Sequence, residues 1–198
     1  MEKISIQQAG EQLKRAQDVV ILCHQSPDGD TMGSAFAMHY ALGALGIRSR
    51  VECADSLPEK FQFLFANAKR EDFAAQFVLA VDVADENLLG ATIREKYPMI
   101  DLCIDHHPSN TGYAQHRLLE ADSAATAEII ALVIESMGVS LTSQMAACIY
   151  TCLLYTSMWL LEKKQSKKCL IPKSKFYWKM QANLMRRFCY VLLYGLPC

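Results

Sequence analysis

The sequence predicts an α/β fold, a mostly parallel sheet flanked by helices. Three observations predict it. Short, apolar, β-branched runs stand at residues 19–23, 77–81 and 99–104, as buried parallel strands require. Stretches with helical spacing separate them, and that alternation builds parallel sheets. A polar segment opens directly after each run, at His24, Asp82 and Asp105.

Residues 4–17 set Ile6, Ala9, Leu13 and Ala16 at helical spacing, which predicts an amphipathic first helix ended by Asp18. The first strand runs into the turn-rich loop His24-Gln25-Ser26-Pro27-Asp28-Gly29-Asp30. Thr31 is placed to cap the next helix, which runs to about Leu45, where Gly46 supplies a left-handed stop. Residues 48–53 read as a strand and 58–67 as helical. After the strand at 77–81, residues 86–96 read as one helix, followed by the strand at 99–104. Residues 123–137, rich in Ala and Ile, form a helix stopped by Gly138, and Thr142 caps one more.

The 198 residues divide sharply in composition. Up to Thr151 there are 11 Lys and Arg against 20 Asp and Glu, a net −9. From Cys152 on there are nine against one, a net +8. All five histidines, and eight of nine glycines, lie before Thr151. The domain expectation follows: a catalytic α/β domain over 1–151 and an unrelated basic tail over 152–198. The eight cysteines form no CxxC pair and read as free thiols in a reducing compartment. Residues 1–18 lack the apolar segment of a signal peptide, and no apolar stretch reaches the ~20 residues that span a bilayer. The expectation is a cytoplasmic protein with no membrane partner.

The polar clusters carry the chemistry. Ligands of open α/β sheets bind beyond the carboxyl ends of the strands. His24, Asp82 and Asp105 mark three such ends, so their side chains converge. Asp28 and Asp30, two apart in a loop, can face the same point as His24. Each cluster alone has an ordinary explanation: Asp-Gly-Asp occurs in turns, Asp82 could cap a helix, and His-His pairs are common on surfaces. Together, His24, Asp28, Asp30, Asp82, Asp105, His106 and His107 form a cage for two divalent metals. Imidazole and carboxylate without thiolate favour Mn²⁺ or a similar ion. Without cations the carboxylates would repel one another and lose solvation. His39 and His116 lie outside this set and read as structural.

His24-x-x-x-Asp28-Gly29-Asp30, Val81-Asp82-Val83-Ala84-Asp85 and Asp105-His106-His107-Pro108 resemble the first three motifs of the DHH phosphoesterase superfamily. The stretch Cys103–Asn110, with Ala124-Ala125-Thr126-Ala127-Glu128, is similar to the bacterial branch of bifunctional oligoribonucleases and 3′-phosphoadenosine-5′-phosphate phosphatases. The resemblance implies a hydrolase with two metal ions. His24 and Asp28 would bind the first ion, Asp30 and His106 the second, and Asp82 both. Asp105 would orient a histidine from behind, and His107 would meet the substrate phosphate or leaving oxygen. Ser123 and Thr126, at a helix N-terminus, fit either hydrogen bonding in the site or simple capping. Short RNA oligonucleotides or small nucleotides would be the substrates, and two copies could pair as a homodimer. A manganese inorganic pyrophosphatase carries similar motifs, but the stretch from Asp105 to Asn110 argues against it. The rival from another class is a nucleotide-binding module without turnover.

The resemblance stops near Thr151. The family continues with a Thr-Asp-Thr-Gly motif, whose aspartate adds a ligand to the second metal. Ungapped counting puts Thr156 at that place. The family's glycine-rich C-terminal domain is likewise missing, and Thr156 supports the reading without turnover. Three readings of the tail compete. Its lysines and its aromatic Phe176, Tyr177 and Trp178 suit a nucleic-acid arm. The apolar run from Phe188 suits a membrane surface. The third is translation past a frameshift or adapter junction, since Cys-Leu-Leu-Tyr-Thr-Ser resembles readthrough of a sequencing adapter. Only the third accounts for the charge break, the lost glycines and the lost motif together.

Overall fold

The computed structural model describes residues 1–69 and 71–152. In chain order the elements are β1 (Glu2–Lys3), α1 (Ile6–Arg15), β2 (Val19–Leu22), α2 (Gly29–Ala44) and β3 (Ser49–Glu52). A 3₁₀ turn (Glu59–Phe61) leads into the one-turn α3 (Gln62–Phe65), followed by β4 (Phe77–Val81). A second 3₁₀ turn (Glu86–Leu89) precedes α4 (Ala91–Lys96), β5 (Leu102–Asp105), β6 (His116–Leu119) and α5 (Thr126–Ser136). Residues 143–152 form the last described helix, α6.

The six strands make one sheet in the order β1-β6-β5-β4-β2-β3. Every neighbouring pair is parallel. The α/β architecture read from the sequence is the one observed. Strand residues alternate between two apolar layers. Val19, Ile21 and Cys23 join the larger core with residues of α1, α2, α5 and α6. Val20 and Leu22 enter the smaller core with Leu89 and Ile93. Burial on both faces explains why β2 and β4 read as continuous apolar runs. The register pairs Leu22 with Ala80 and Val81 with Ile104. The residues that follow these strands therefore emerge at one edge of the sheet.

Some elements differ from expectation. The helix expected over 86–96 is broken at Gly90, whose φ of +80° ends the 3₁₀ turn and starts α4. The strand expected from 99 begins at Leu102; just before it, the Asp101 carboxylate takes the Val78 amide at 2.7 Å. β1 and β6 were not foreseen. They are short, lie together at one side of the sheet and carry Glu2, Lys3, His116 and Arg117 in place of an apolar run. Cys152, assigned to the tail by composition, is buried in the larger core. The remainder of the tail expectation, Thr156 included, lies outside the described residues. No helix among the described residues is long and apolar enough to cross a membrane.

Candidate metal centre

The first cluster is built by the turn from β2 into α2. Asp28, not Thr31, caps α2: its carboxylate accepts the Asp30 and Thr31 amides at 2.9 and 3.1 Å. Aspartate is among the best N-caps, and placing it there moves the helix start ahead of Thr31. Thr31 is buried inside the helix, and its hydroxyl donates to the Val81 carbonyl at 3.2 Å, tying α2 to the end of β4. The second cluster begins where β4 ends, at Asp82, whose φ of +60° is left-handed. Aspartate tolerates that conformation better than most residues. The third cluster ends β5 with Asp105-His106-His107.

The structure brings all seven predicted residues together. His24 Nε2 lies 3.9 Å from both Asp28 Oδ1 and Asp82 Oδ2. His106 Nε2 lies 3.8 Å from both Asp30 Oδ2 and Asp82 Oδ1. Two sets have donor atoms all within 4.8 Å of one another: His24, Asp28 and Asp82, and Asp82, His106 and His107. Asp82 belongs to both. Exposure rises outward, from 0% for the Asp105 side chain and 3% for Asp82 to 43% for His107 and 65% for Asp28. The centre is thus rooted in the core and open on the side of Asp28 and His107.

Hydrogen bonds set the imidazoles. His24 Nδ1 is 2.7 Å from the Gln25 carbonyl, and His106 Nδ1 is 3.2 Å from the Ser123 carbonyl. A ring nitrogen facing a carbonyl holds a proton, so Nε2 is the nitrogen that each ring presents to the carboxylates. Metal-binding histidines are held in this way. His107 is different: its Nδ1 lies 2.8 Å from Asp105 Oδ1, nearer than the 3.6 Å to Asp82 Oδ1. Its Nδ1 proton therefore belongs to Asp105.

The electrostatics also fit a cation. Burial, then the charges of Asp30 and Asp28, push the Asp82 carboxyl well above the ordinary range, against a lowering hydrogen bond from Thr126. A divalent ion would reverse that preference. Burial also pushes Asp105 up, but bonds from the His107 side chain, Asn110 and the His107 amide outweigh it and hold Asp105 low. The Asp105 hydrogen bond raises His107 against the opposing effect of burial. The N-terminus of α5 meets Asp30 directly: the Thr126 and Ala127 amides donate to its oxygens at 2.9 Å each.

His39 and His116 lie elsewhere, on Ser49 and on Asp101 and Glu2 respectively. The five described cysteines are free thiols. Sequence reasoning left three contributors aside. Asn110 donates to Asp105 Oδ2 at 2.7 Å; the sequence showed it only as the last residue of the Cys103–Asn110 stretch, without a role. Glu128 accepts the Ala124 amide at 2.9 Å and steadies the turn that carries the Ser123 carbonyl. Thr126, weighed equally as a cap and as a hydrogen-bonding residue of the site, is not the capping residue and instead donates to Asp82.

Comparison with known proteins places the chain in a family. The bifunctional oligoribonuclease and PAP phosphatase NrnA of Thermus thermophilus is 28% identical over 138 residues, 67% of this chain and 41% of that protein. An uncharacterized protein of Mycoplasma pneumoniae is 28% identical over 152 residues, 70% of this chain and 44% of that one. The chain spans less than half the length of these curated relatives. Among solved structures, an exopolyphosphatase-related protein from Bacteroides fragilis superposes with a TM-score of 0.74 at 16% identity, covering 96% of this chain and 60% of that one. A putative family II inorganic pyrophosphatase of Methanococcus jannaschii gives 0.56 at 15% identity, over 90% and 57%. At such identities these structures speak for the fold. The model of the DHH family, N-terminal domain, matches residues 18–153, and the chain belongs to that family.

Proposed function

We propose that this chain is the catalytic part of a two-metal phosphoesterase that hydrolyses short oligoribonucleotides to mononucleotides and 3′-phosphoadenosine 5′-phosphate to AMP. The observation that carries the reading is that buried Asp82 turns one carboxylate oxygen toward His24 and the other toward His106, at 3.9 and 3.8 Å, with Asp30 at 3.8 Å from the same His106 nitrogen. His24 and Asp28 would hold one ion, Asp30 and His106 the other, and Asp82 both. Imidazole and carboxylate donors without thiolate suit Mn²⁺. Bound ions of this kind activate water and neutralise charge on a phosphoryl group undergoing displacement.

The chain's own residues supply the rest. His107, raised by Asp105, keeps its Nδ1 proton inward, and its side chain is 43% exposed on the open side of the centre. From there it can hydrogen-bond a phosphate oxygen or the leaving oxygen. Asp105 is fully buried and held in its charged form, so it fixes that ring. The substrate class is supported by the Cys103–Asn110 sequence and by the kinship with the oligoribonuclease and PAP phosphatase.

Initial rates with Mn²⁺ test the reading. Di- to pentaribonucleotides and 3′-phosphoadenosine 5′-phosphate should be cleaved faster than long RNA or pyrophosphate. Preference for either of the latter overturns the branch. Binding of the nucleotide without any turnover would favour a binding module. Asp82→Ala should lower manganese content more than any other single change, because it removes a ligand from both ions.

A further inference from the structure

We infer that Thr126 is a positioning residue that sets the Asp82 carboxylate to serve two ions at once. This rests on the metal centre proposed above. Thr126 is the first residue of α5 and is fully buried. Its hydroxyl donates to Asp82 Oδ1 at 2.8 Å, and its amide donates to Asp30 Oδ2 at 2.9 Å. One residue thus holds carboxylates from the end of β4 and the start of α2, 44 and 96 positions away in the chain.

Capping does not explain this. The N-cap of α5 is Ala125, which has no side chain to cap with. A threonine within a helix ordinarily bonds its hydroxyl back to a carbonyl one turn earlier. Thr126 has no such turn behind it, and its proton goes outward, to Asp82. Asp82 needs the help. It stands on left-handed backbone, and its two oxygens face different histidines: Oδ1 toward His106 and His107, Oδ2 toward His24. Rotation of the carboxylate about its last bond would spoil both sets together. A single donor on one oxygen fixes the rotation of the carboxylate plane, while leaving lone pairs for the ions. Because α5 also holds Asp30 through two amides, the helix end sets Asp30 and Asp82 as one unit.

The full 198-residue chain decides the matter by calorimetric titration with Mn²⁺, alongside melting of the metal-free forms. Thr126→Val keeps the shape and removes the hydroxyl. It should weaken manganese binding about 10- to 100-fold, the usual effect of losing a partner behind a ligand. Thr126→Ser keeps the hydroxyl and should stay within about threefold of wild type, well short of that loss. Metal-free Thr126→Val should melt close to wild type. If it melts far below, Thr126→Ala is read in its place with the same expectation. Unchanged manganese affinity in the variants lacking the hydroxyl overturns the positioning role and leaves the metal centre standing. Equal weakening by Val and Ser overturns it too, because the hydroxyl would then not be the cause. A wild-type chain that takes up no manganese overturns the centre itself.

Discussion

Asp105 divides its oxygens: one takes the His106 and His107 amides and the His107 ring, the other takes Asn110. Asn110 is itself buried, and its amide closes a turn onto the His107 carbonyl at 3.0 Å. Asn110→Ala would leave a buried carboxylate oxygen short of a donor, which costs about 1–3 kcal/mol. The expected outcome is a melting temperature lower by several degrees together with a fall in kcat, with manganese content little changed. Wild-type kcat in this variant would exclude Asn110 from the support of His107. At this scale the sequence was half legible. The acids and histidines declared themselves because His24, Asp82 and Asp105 each follow an apolar run and the others stand close behind them. The donors that steady them were less plain: Thr126 stood as one of two readings, because it reaches Asp30 and Asp82 only once α5 has folded against α2.

Elements show the same division. β2 and β4 were plain because both faces are buried, whereas β1 and β6 were hidden by polar residues at one side of the sheet. The seating of α6 on α2 has no sequence signal except Gly33. A Cβ at Gly33 would overlap the Cys148 carbonyl oxygen, a backbone atom that cannot swing away. Gly33→Ala should therefore destabilise the domain by about 1–3 kcal/mol, although alanine favours helices, and urea unfolding would show it. A neutral or stabilising effect would mean that α6 does not pack there. β3 is tied to α4 through Glu52, which accepts from Arg50, Tyr97 and Lys96 at 2.6, 2.7 and 2.8 Å. Burial alone would raise Glu52, but these bonds, led by Lys96 and Tyr97, lower it. A carboxyl lowered on folding adds stability above its unfolded value, and that stability fades as the pH falls through the folded value. Wild type should thus lose more stability than Glu52→Gln as the solution is acidified through the carboxylate range. Parallel losses in the two would show that the cluster is not ionic.

For the whole molecule, the decisive boundary is near Cys152. That residue is buried with Cys148 and Ile149, so the domain needs α6 at least that far. The compositional break was legible; its position relative to the core was not, because charge counts carry no information on packing. On the family resemblance, replacing residues 153–198 with the corresponding continuation of the Thermus thermophilus relative would place the family's Thr-Asp-Thr-Gly aspartate near position 156, with the family's C-terminal domain behind it. The chimera should hydrolyse 3′-phosphoadenosine 5′-phosphate about a hundredfold faster or more, the scale of restoring a metal's support. Equal rates in single-turnover assays would make the present tail a working part of the enzyme. The left-handed backbone at Asp82 has a consequence on a longer timescale. Holding a residue with a side chain there costs on the order of 1–3 kcal/mol, which glycine would not incur. A duplicated gene released from hydrolysis would gain stability at this position by drifting from aspartate to glycine, whereas most other residues would fit the left-handed backbone less well than aspartate does. A glycine at 82 would therefore mark a lineage that has given up the chemistry while keeping the fold.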